Sequence, residues 1–217
     1  LAMKITTPNN DTHIINMNTE HFFPVSTPED FTKLMQAKAK GKQAVAEYAE
    51  KHPELKAYKK YHAAFSKALR SYEGATYNSV NSFYLVDKSG HKTAMRFSFI
   101  PAGKKDIVLD PNPHFLLENL RKNLEIGEVA WNMVITIANP SDPINNPSTL
   151  WEGDHTKITA AKFVVKSAMS ELDGQCDTIN FDPTIVSEGF EPSEDRILEA
   201  RSLVYAIGLA RRLSEKN

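Results

Sequence analysis

The amino-acid sequence predicts an α+β fold, in which an antiparallel sheet lies beside helices that are grouped before and after it. Three observations support this prediction: an alternating segment at the N-terminus, a run of alternating segments in the middle of the chain, and helical tracts at 3.6-residue periodicity around them. The strands follow one another in runs and do not alternate with helices, so βαβ units are not predicted. No linker divides the sequence, and one domain over residues 1–217 is expected.

The N-terminal third predicts a hairpin followed by helices. Residues 1–18 read as strand, Pro-Asn-Asn-Asp turn and strand. A helix then begins with a cap at Ser26 or Thr27 and ends at Gly41. A second helical tract follows directly, and Pro53 is expected to break it.

The rest of the chain predicts the main sheet and two further helices. In the second strand of a hairpin over residues 79–103, Met95, Phe97 and Phe99 are expected to face one side together. The remaining elements are an amphipathic helix, two more strands separated by a long Pro/Asn-rich loop, and a final helix. Their predicted ranges are 113–127, 129–138, 161–169 and 193–217.

Composition excludes several classes of protein. A formal charge of −1 gives no sign of a nucleic-acid or membrane-surface partner, and no stretch is long and apolar enough for a membrane span. The single cysteine, Cys176, excludes an intrachain disulfide and is expected to be a small buried hydrophobe. The seven histidines are scattered without metal-ligand spacing and are expected mostly at the surface or in loops.

The final helix carries an unusual stripe. Ile197, Arg201, Tyr205, Gly208 and Arg212 are separated by three or four residues and share one face, while leucines on the other faces predict that the helix is largely buried. A guanidinium one turn from a phenol favours the tyrosinate, which serves in proteins as a ligand to haem iron. An ordinary Arg/Tyr helix pair has the same spacing, and the spacing alone favours that simpler interpretation.

Longer motifs give the stripe a context. The segment "FDPTIVSEGFEPSEDRILEARSLVYAIGLARR", residues 181–212, resembles the proximal haem segment of the catalase family, and "MNTEHFFPVSTPEDF" resembles its distal segment. The hairpin over 79–103 and the loop "DPINNPSTLWEGD" resemble further parts of the family, so the resemblance spans the chain. Because Ala206 follows Tyr205, where large catalases usually have proline, the chain is more similar to small catalase-related peroxidases. The resemblance implies a catalase-like antiparallel β-barrel with surrounding helices, truncated at its N-terminus.

The resemblance assigns four residues to the proximal side of a haem b group. Tyr205 would be the axial iron ligand, and Arg201 would donate a hydrogen bond to its oxygen and hold it as tyrosinate. Arg212 would meet a haem propionate, and Phe181 would pack beside the haem. These positions define the expected cofactor and metal site.

On the distal side the resemblance assigns three residues. Asn18 would orient peroxide, and Phe23 and Phe31 would line the distal pocket and its channel, although plain core packing explains these two phenylalanines equally well. In the family a distal histidine acts as general acid and base, and no residue of this chain matches it. The chain opens on Leu1, so we expect that the segment with this histidine, and any targeting signal, lies upstream.

The resemblance implies a peroxidase that reduces organic peroxides or hydrogen peroxide and oxidises an unidentified small-molecule electron donor. It leaves the periplasm and the cytoplasm as alternative compartments, and a homo-oligomer is one expected assembly, because large catalases are tetramers and the smaller relatives vary. Two alternatives stay open: a haem-binding protein or inactive fragment without turnover, and a fatty-acid hydroperoxide isomerase of the allene oxide synthase type. Products formed from a lipid hydroperoxide would distinguish the isomerase.

Overall fold

The computed structural model describes residues 1–65, 70–103, 112, 115–170 and 176–215. The end of the second predicted helical tract, the first two residues of the predicted helix over 113–127 (His114 among them) and the last two residues of the chain lie outside these ranges.

The strands form two antiparallel sheets. β1 (Ala2–Thr6) and β2 (Thr12–Asn16) make the predicted N-terminal hairpin. The second sheet has six strands in the order β7-β6-β5-β4-β8, with β3 paired to β5. Its strands are β3 (Tyr77–Asn78), β4 (Phe83–Val86), β5 (Lys92–Pro101), β6 (Val129–Ile137), β7 (Lys157–Val165) and β8 (Phe190–Pro192).

The described residues contain five α-helices. They are α1 (Pro28–Lys40), α2 (Lys42–Glu50), α3 (Pro53–Phe65), α4 (Phe115–Ile126) and α5 (Arg196–Ser214). The Thr27 side chain caps α1 by accepting from the Asp30 N–H, and Gly41 ends the helix, as predicted. Pro53 breaks the second tract by starting α3, where a missing N–H costs nothing.

Two apolar clusters form the core. Met95, Phe97 and Phe99 of β5 point inward together, as predicted, and pack with Trp131 of β6. A smaller cluster between α1, α2 and α3 is built on Val25, Leu34, Ala49 and Leu55. The sheet and the helical layer therefore have separate apolar centres, and the segment between β2 and α1 joins them.

The antiparallel sheet with flanking helices confirms the α+β prediction, since every pairing between the named strands is antiparallel. The described strands form two open sheets and do not close into a barrel. Closure of the barrel, the truncation and the single domain over 1–217 stay predictions. The sequence did not reveal β3 and β8, because strands of two and three residues are too short for a periodic pattern.

Two expectations about burial are wrong. The helix α5 is not largely buried: Leu203 is 71% exposed and Leu213 44%, because only the first turn reaches the core. Cys176 is exposed, since it begins a one-turn 3₁₀ helix at the surface.

The expectation for the histidines is confirmed for most of those described, since His21, His62 and His91 are exposed and His52 and His155 lie in loops. The exception is His13, which is buried in β2.

Neither a membrane-crossing helix nor a cluster of metal ligands occurs among the described residues. None of their helices combines the length and the apolar character that crossing a bilayer requires. Nor do their histidine, cysteine and acidic side chains form a group of three that could hold a metal ion.

Candidate functional site

Tyr205 lies at a cavity of about 300 Å³ where three parts of the chain meet. The end of β2 and the residues after it supply one wall, the segment before β4 a second, and α5 the third. The wall from α5 consists of Ile197, Arg201, Val204 and Tyr205. The cavity thus gathers residues that lie almost 190 positions apart in the chain.

The phenolic oxygen of Tyr205 accepts two hydrogen bonds. The Asn16 Nδ2 donates to it at 2.6 Å, and the Arg201 Nη2 at 3.5 Å. Because Asn16 Nδ2 also donates to the Phe181 carbonyl at 3.1 Å, the orientation of this amide is set by two acceptors. Both hydrogen bonds recorded for the oxygen within the described residues place it as an acceptor, an arrangement that suits an anionic phenolate.

Arg201 is held by a second amide. Its Nη1 donates to Asn81 Oδ1 at 2.6 Å, and Asn81 Nδ2 donates to Asp195 Oδ2, also at 2.6 Å. The guanidinium carbon lies 5.6 Å from the centre of the Tyr205 ring. A polar chain therefore runs from Tyr205 through Arg201 and Asn81 to a carboxylate.

That carboxylate also begins the helix. Asp195 is fully buried, and its Oδ1 accepts from the N–H groups of Ile197 at 2.8 Å and Leu198 at 3.4 Å, which caps α5. Burial raises the pKa of Asp195, while the hydrogen bond from Asn81 and the two amide bonds act in the opposite direction. Asp195 therefore both caps α5 and connects to the site through Asn81.

A second carboxylate lies on the other side of α5. Asp182 accepts from Ser202 Oγ at 2.5 Å and from Thr184 Oγ1 at 2.7 Å. Burial alone would raise the pKa of Asp182, but these hydrogen bonds, one from the Thr184 N–H and the charge of Arg201 together lower it. The pKa shifts of Asp182 and Asp195 therefore have opposite directions.

The three residues predicted on the distal side take different places. Asn18 is exposed and lines the cavity, and its Oδ1 accepts from the Glu20 N–H at 3.3 Å. Phe23 also lines the cavity, whereas Phe31 packs on it with ring centroids 5.1 Å apart. Phe23 and Phe31 are only partly buried, whereas the neighbouring Phe22 is buried.

Two predicted proximal residues do not line the cavity. Arg212 donates to the carbonyls of Asp177 at 3.3 Å and Ile179 at 3.2 Å, two turns of α5 beyond Tyr205. Phe181 contributes its backbone carbonyl, which orients Asn16. The structure thus brings Tyr205, Arg201, Asn18 and Phe23 together and leaves the roles of all seven predicted residues as predictions.

Sequence reasoning missed Asn16, Asn81 and the second role of Asp195. The position of Asn16 in β2, two residues before Asn18, could have identified it, because alternate residues of a strand face the same side. For Asn81 the sequence holds no signal, since Arg201 lies 120 residues away and only the fold brings them into contact.

Comparisons with known proteins find similarity to catalase-related peroxidases. No family model matches the chain. It is 30% identical over 227 aligned positions to a catalase-related peroxidase of Synechococcus elongatus, which covers 98% of this chain and 66% of that protein. It is 26% identical to a catalase-related peroxidase of Mycolicibacterium paratuberculosis, over 95% of this chain and 68% of the relative. The chain thus spans about two thirds of the length of these relatives.

Solved catalases share the fold. A bacterial catalase superimposes with a TM-score of 0.76 at 17% identity, over 97% of this chain and 45% of that one. A fungal catalase gives 0.77 at 16% identity, over 98% and 47%. Catalase A from Saccharomyces cerevisiae gives 0.76 at 16% identity, over 98% and 48%. At these identities the superpositions show the architecture alone.

Proposed function

We propose, because the chain belongs to the catalase family and is similar to its catalase-related peroxidases, that it forms the proximal part of a haem-dependent peroxidase. The substrates would be organic peroxides or hydrogen peroxide, with a small-molecule electron donor. Since the chain spans about two thirds of its relatives, this activity is proposed for the whole protein to which these residues contribute.

One observation carries the proposal: the Tyr205 oxygen faces a cavity and accepts from two N–H donors, one of them charged. A phenolate is a hard anionic ligand, and tyrosinate is an established axial ligand of ferric haem. The guanidinium of Arg201 would stabilise the negative charge on that oxygen. The donor set around Tyr205 therefore fits the iron of a haem.

The cavity walls fit the apolar faces of a porphyrin. Phe23, Val80, Ile197 and Val204 supply apolar surface around Tyr205, which would exclude bulk water from the iron. The cavity is open beside Val204, which is 65% exposed, so a planar group larger than the cavity could enter from that side.

Arg212 is suited to an anionic substituent. Both recorded partners of its guanidinium are neutral carbonyls, so no carboxylate in those contacts compensates its charge. A haem propionate would supply that compensation through charge-assisted hydrogen bonds.

When bound, haem would supply the redox-active iron at which the peroxide O–O bond is cleaved. The residues of this chain would hold the ligand oxygen and orient the peroxide. Arg201, held by Asn81, keeps a positive charge at the Tyr205 oxygen, and Asn18 would orient the peroxide by its amide. Asn16, on the same strand end, holds the phenolic oxygen from the other side.

A second candidate function rests on one observation. Among the described residues that line the cavity, none is a histidine or a carboxylate that could transfer the proton during O–O cleavage. The chain by itself would then bind haem without turnover. Turnover of peroxide by the isolated 217-residue chain loaded with haem would exclude this candidate.

The proposed ligand is tested by titrating the chain with ferric haem and recording its absorption spectrum. We expect the bands of tyrosinate-ligated ferric haem, lost in Tyr205→Phe and retained in the matched control Tyr72→Phe, whose ring is 45% exposed. If the Tyr205→Phe spectrum equals that of the parent, Tyr205 is not the ligand.

A further inference from the structure

Val80 has a backbone conformation that its side chain disfavours. Its φ is +63°, and the Asn81 N–H donates to the Ser79 carbonyl at 2.7 Å, which closes a three-residue γ-turn of the rare form with positive φ. A β-branched residue at positive φ is a genuine outlier and is sterically strained. The other non-glycine residue with positive φ in the described residues is Asn10, a type that tolerates this region in turns.

The neighbours of Val80 fix the turn on both sides. The Ser79 N–H donates to the Phe97 carbonyl at 2.9 Å, and the Phe97 N–H donates back to Ser79 Oγ at 3.3 Å. Ser79 Oγ also donates to the Asn81 carbonyl at 2.8 Å. Glycine would satisfy this backbone without strain, so the backbone does not explain why valine is present.

The side chain of Val80 explains the choice. Val80 is 7% exposed and lines the cavity of Tyr205. It also lines a second cavity of about 400 Å³ on the other side, whose walls include Arg96, Trp151 and Lys157. Val80 and its neighbour Ser79 therefore border both the cavity beside the proposed haem ligand and a second cavity that carries the cationic side chains of Arg96 and Lys157.

Cationic side chains line the second cavity, so the side chain of Val80 borders both the Tyr205 cavity and a cavity with charged groups. Burial lowers the pKa of Arg96 to about 10, and within the described residues its guanidinium donates to neutral oxygens of Ser82, Asn146 and Thr149. A cavity lined by such a cation favours water and anions. A gap at Val80 would connect that medium with the Tyr205 cavity.

We propose that Val80 is a positioning residue of the haem site, retained against backbone strain because its isopropyl group separates the Tyr205 cavity from the polar cavity behind it. This inference rests on the proposed function, since it assumes that haem occupies the Tyr205 cavity. The wall adds apolar contact for the bound group and keeps the ligand oxygen away from the water of the second cavity. The γ-turn ends at Asn81, so the same strained segment also positions the amide oxygen that accepts from Arg201.

The experiment compares variants of the 217-residue chain by ferric haem titration, by the absorption spectrum of the complex and by thermal unfolding without haem. Val80→Gly keeps the backbone and removes the wall, and we expect haem affinity to fall about tenfold, because burial of a valine side chain is worth that much or more. We also expect a loss of tyrosinate bands as water reaches the oxygen. Val80→Ile should keep haem affinity within about twofold of the parent, since isoleucine retains a branched apolar side chain.

Two further variants keep the inference falsifiable. Val80→Thr has the shape of valine and a polar hydroxyl, and we expect it to fold and to weaken haem binding in the same direction as glycine. Asn10→Gly, at the other positive φ, should leave affinity and spectrum unchanged. Val80→Gly and Val80→Thr complexes with parental affinity and spectrum would overturn the inference, even if thermal unfolding shifted. A parent chain without tyrosinate bands would instead overturn the proposed function.

Discussion

The parts of α5 before and after Arg201, called here its first and second halves, have similar compositions and different environments. In the first turn Leu198 is fully buried against the sheet core, and Ile197 is 5% exposed. Further along, Leu203 is 71% exposed and Ile207 57%. The polar stripe follows the same division, since Arg201 bonds to the buried Asn81, whereas the bonds of Arg212 within the described part of the chain go to backbone carbonyls.

The difference shows how the helix holds the site. Asp195 fixes the first turn by capping it and by bonding Asn81, so the direction of the helix is set at one end. Tyr205 lies just after this anchored half and depends on it for its position. The second half then projects away from the core of the described structure, so its stability is expected to be local.

The largest effect should come from the leucine that anchors the first half. Leu198→Ala removes a fully buried side chain and should lower the free energy of unfolding by about 3 kcal/mol. The matched change in the exposed half, Leu203→Ala, should alter it by no more than about 0.5 kcal/mol. Urea denaturation of both variants measures this contrast, and equal losses would show that the two halves are equally buried.

A smaller effect is expected at the helix cap. Asp195→Ala removes the cap and leaves the buried Asn81 amide without its acceptor, so the free energy of unfolding should fall by about 2 kcal/mol. The adjacent Glu194 is exposed, and Glu194→Ala should change it by no more than about 0.5 kcal/mol. Urea denaturation of both variants measures the two losses of stability. A Glu194 variant as unstable as the Asp195 variant would contradict the capping role.

The next effect concerns the arginine between the two halves. Arg201→Ala should cost about 1 kcal/mol of stability, because the Asn81 Oδ1 loses its donor, and should weaken the tyrosinate bands of the haem complex. Arg211→Ala, at an exposed position on the same helix, is the control and should change neither. Chemical denaturation gives the first quantity and absorption spectra give the second. An unchanged spectrum would show that Arg201 does not support the ligand.

The smallest effect concerns the pH dependence of the free energy of unfolding. The two carboxylates beside α5 act on it in opposite directions, because their pKa shifts have opposite signs. Burial raises the pKa of Asp195 above its usual 3.8, so as the pH rises through that window the unfolded chain releases its proton first and the free energy of unfolding falls. Asp195→Asn should remove this decline. The pKa of Asp182 is lowered instead, so its stabilisation is present above 3.8 and is lost as the pH falls through the lowered pKa, a loss that Asp182→Asn should remove.

Urea denaturation at a series of acidic pH values checks both signs, with the parent chain as reference for each variant. A parent chain whose difference from Asp195→Asn is constant between pH 4 and neutrality would show that burial does not govern this carboxylate.

Much of the architecture could be predicted because its signals are local. The cap of Thr27, the stop at Gly41 and the break at Pro53 depend on neighbouring residues, and the inward face of β5 follows from strict alternation. The exposure of the second half of α5 could not be predicted in this way. A helix with apolar residues on most of its faces gives no sign of which part of it meets the core.

The sequence by itself determined the candidate ligand pair, because a spacing of four residues places Arg201 and Tyr205 on one helix face in any fold. It also determined the family, through a motif long enough to be specific. Only the tertiary structure decided that Asn16 and Asn81 hold this pair and that Val80 closes the cavity beside it, because contacts across 120 or more residues depend on how the hairpin, the sheet and α5 pack together.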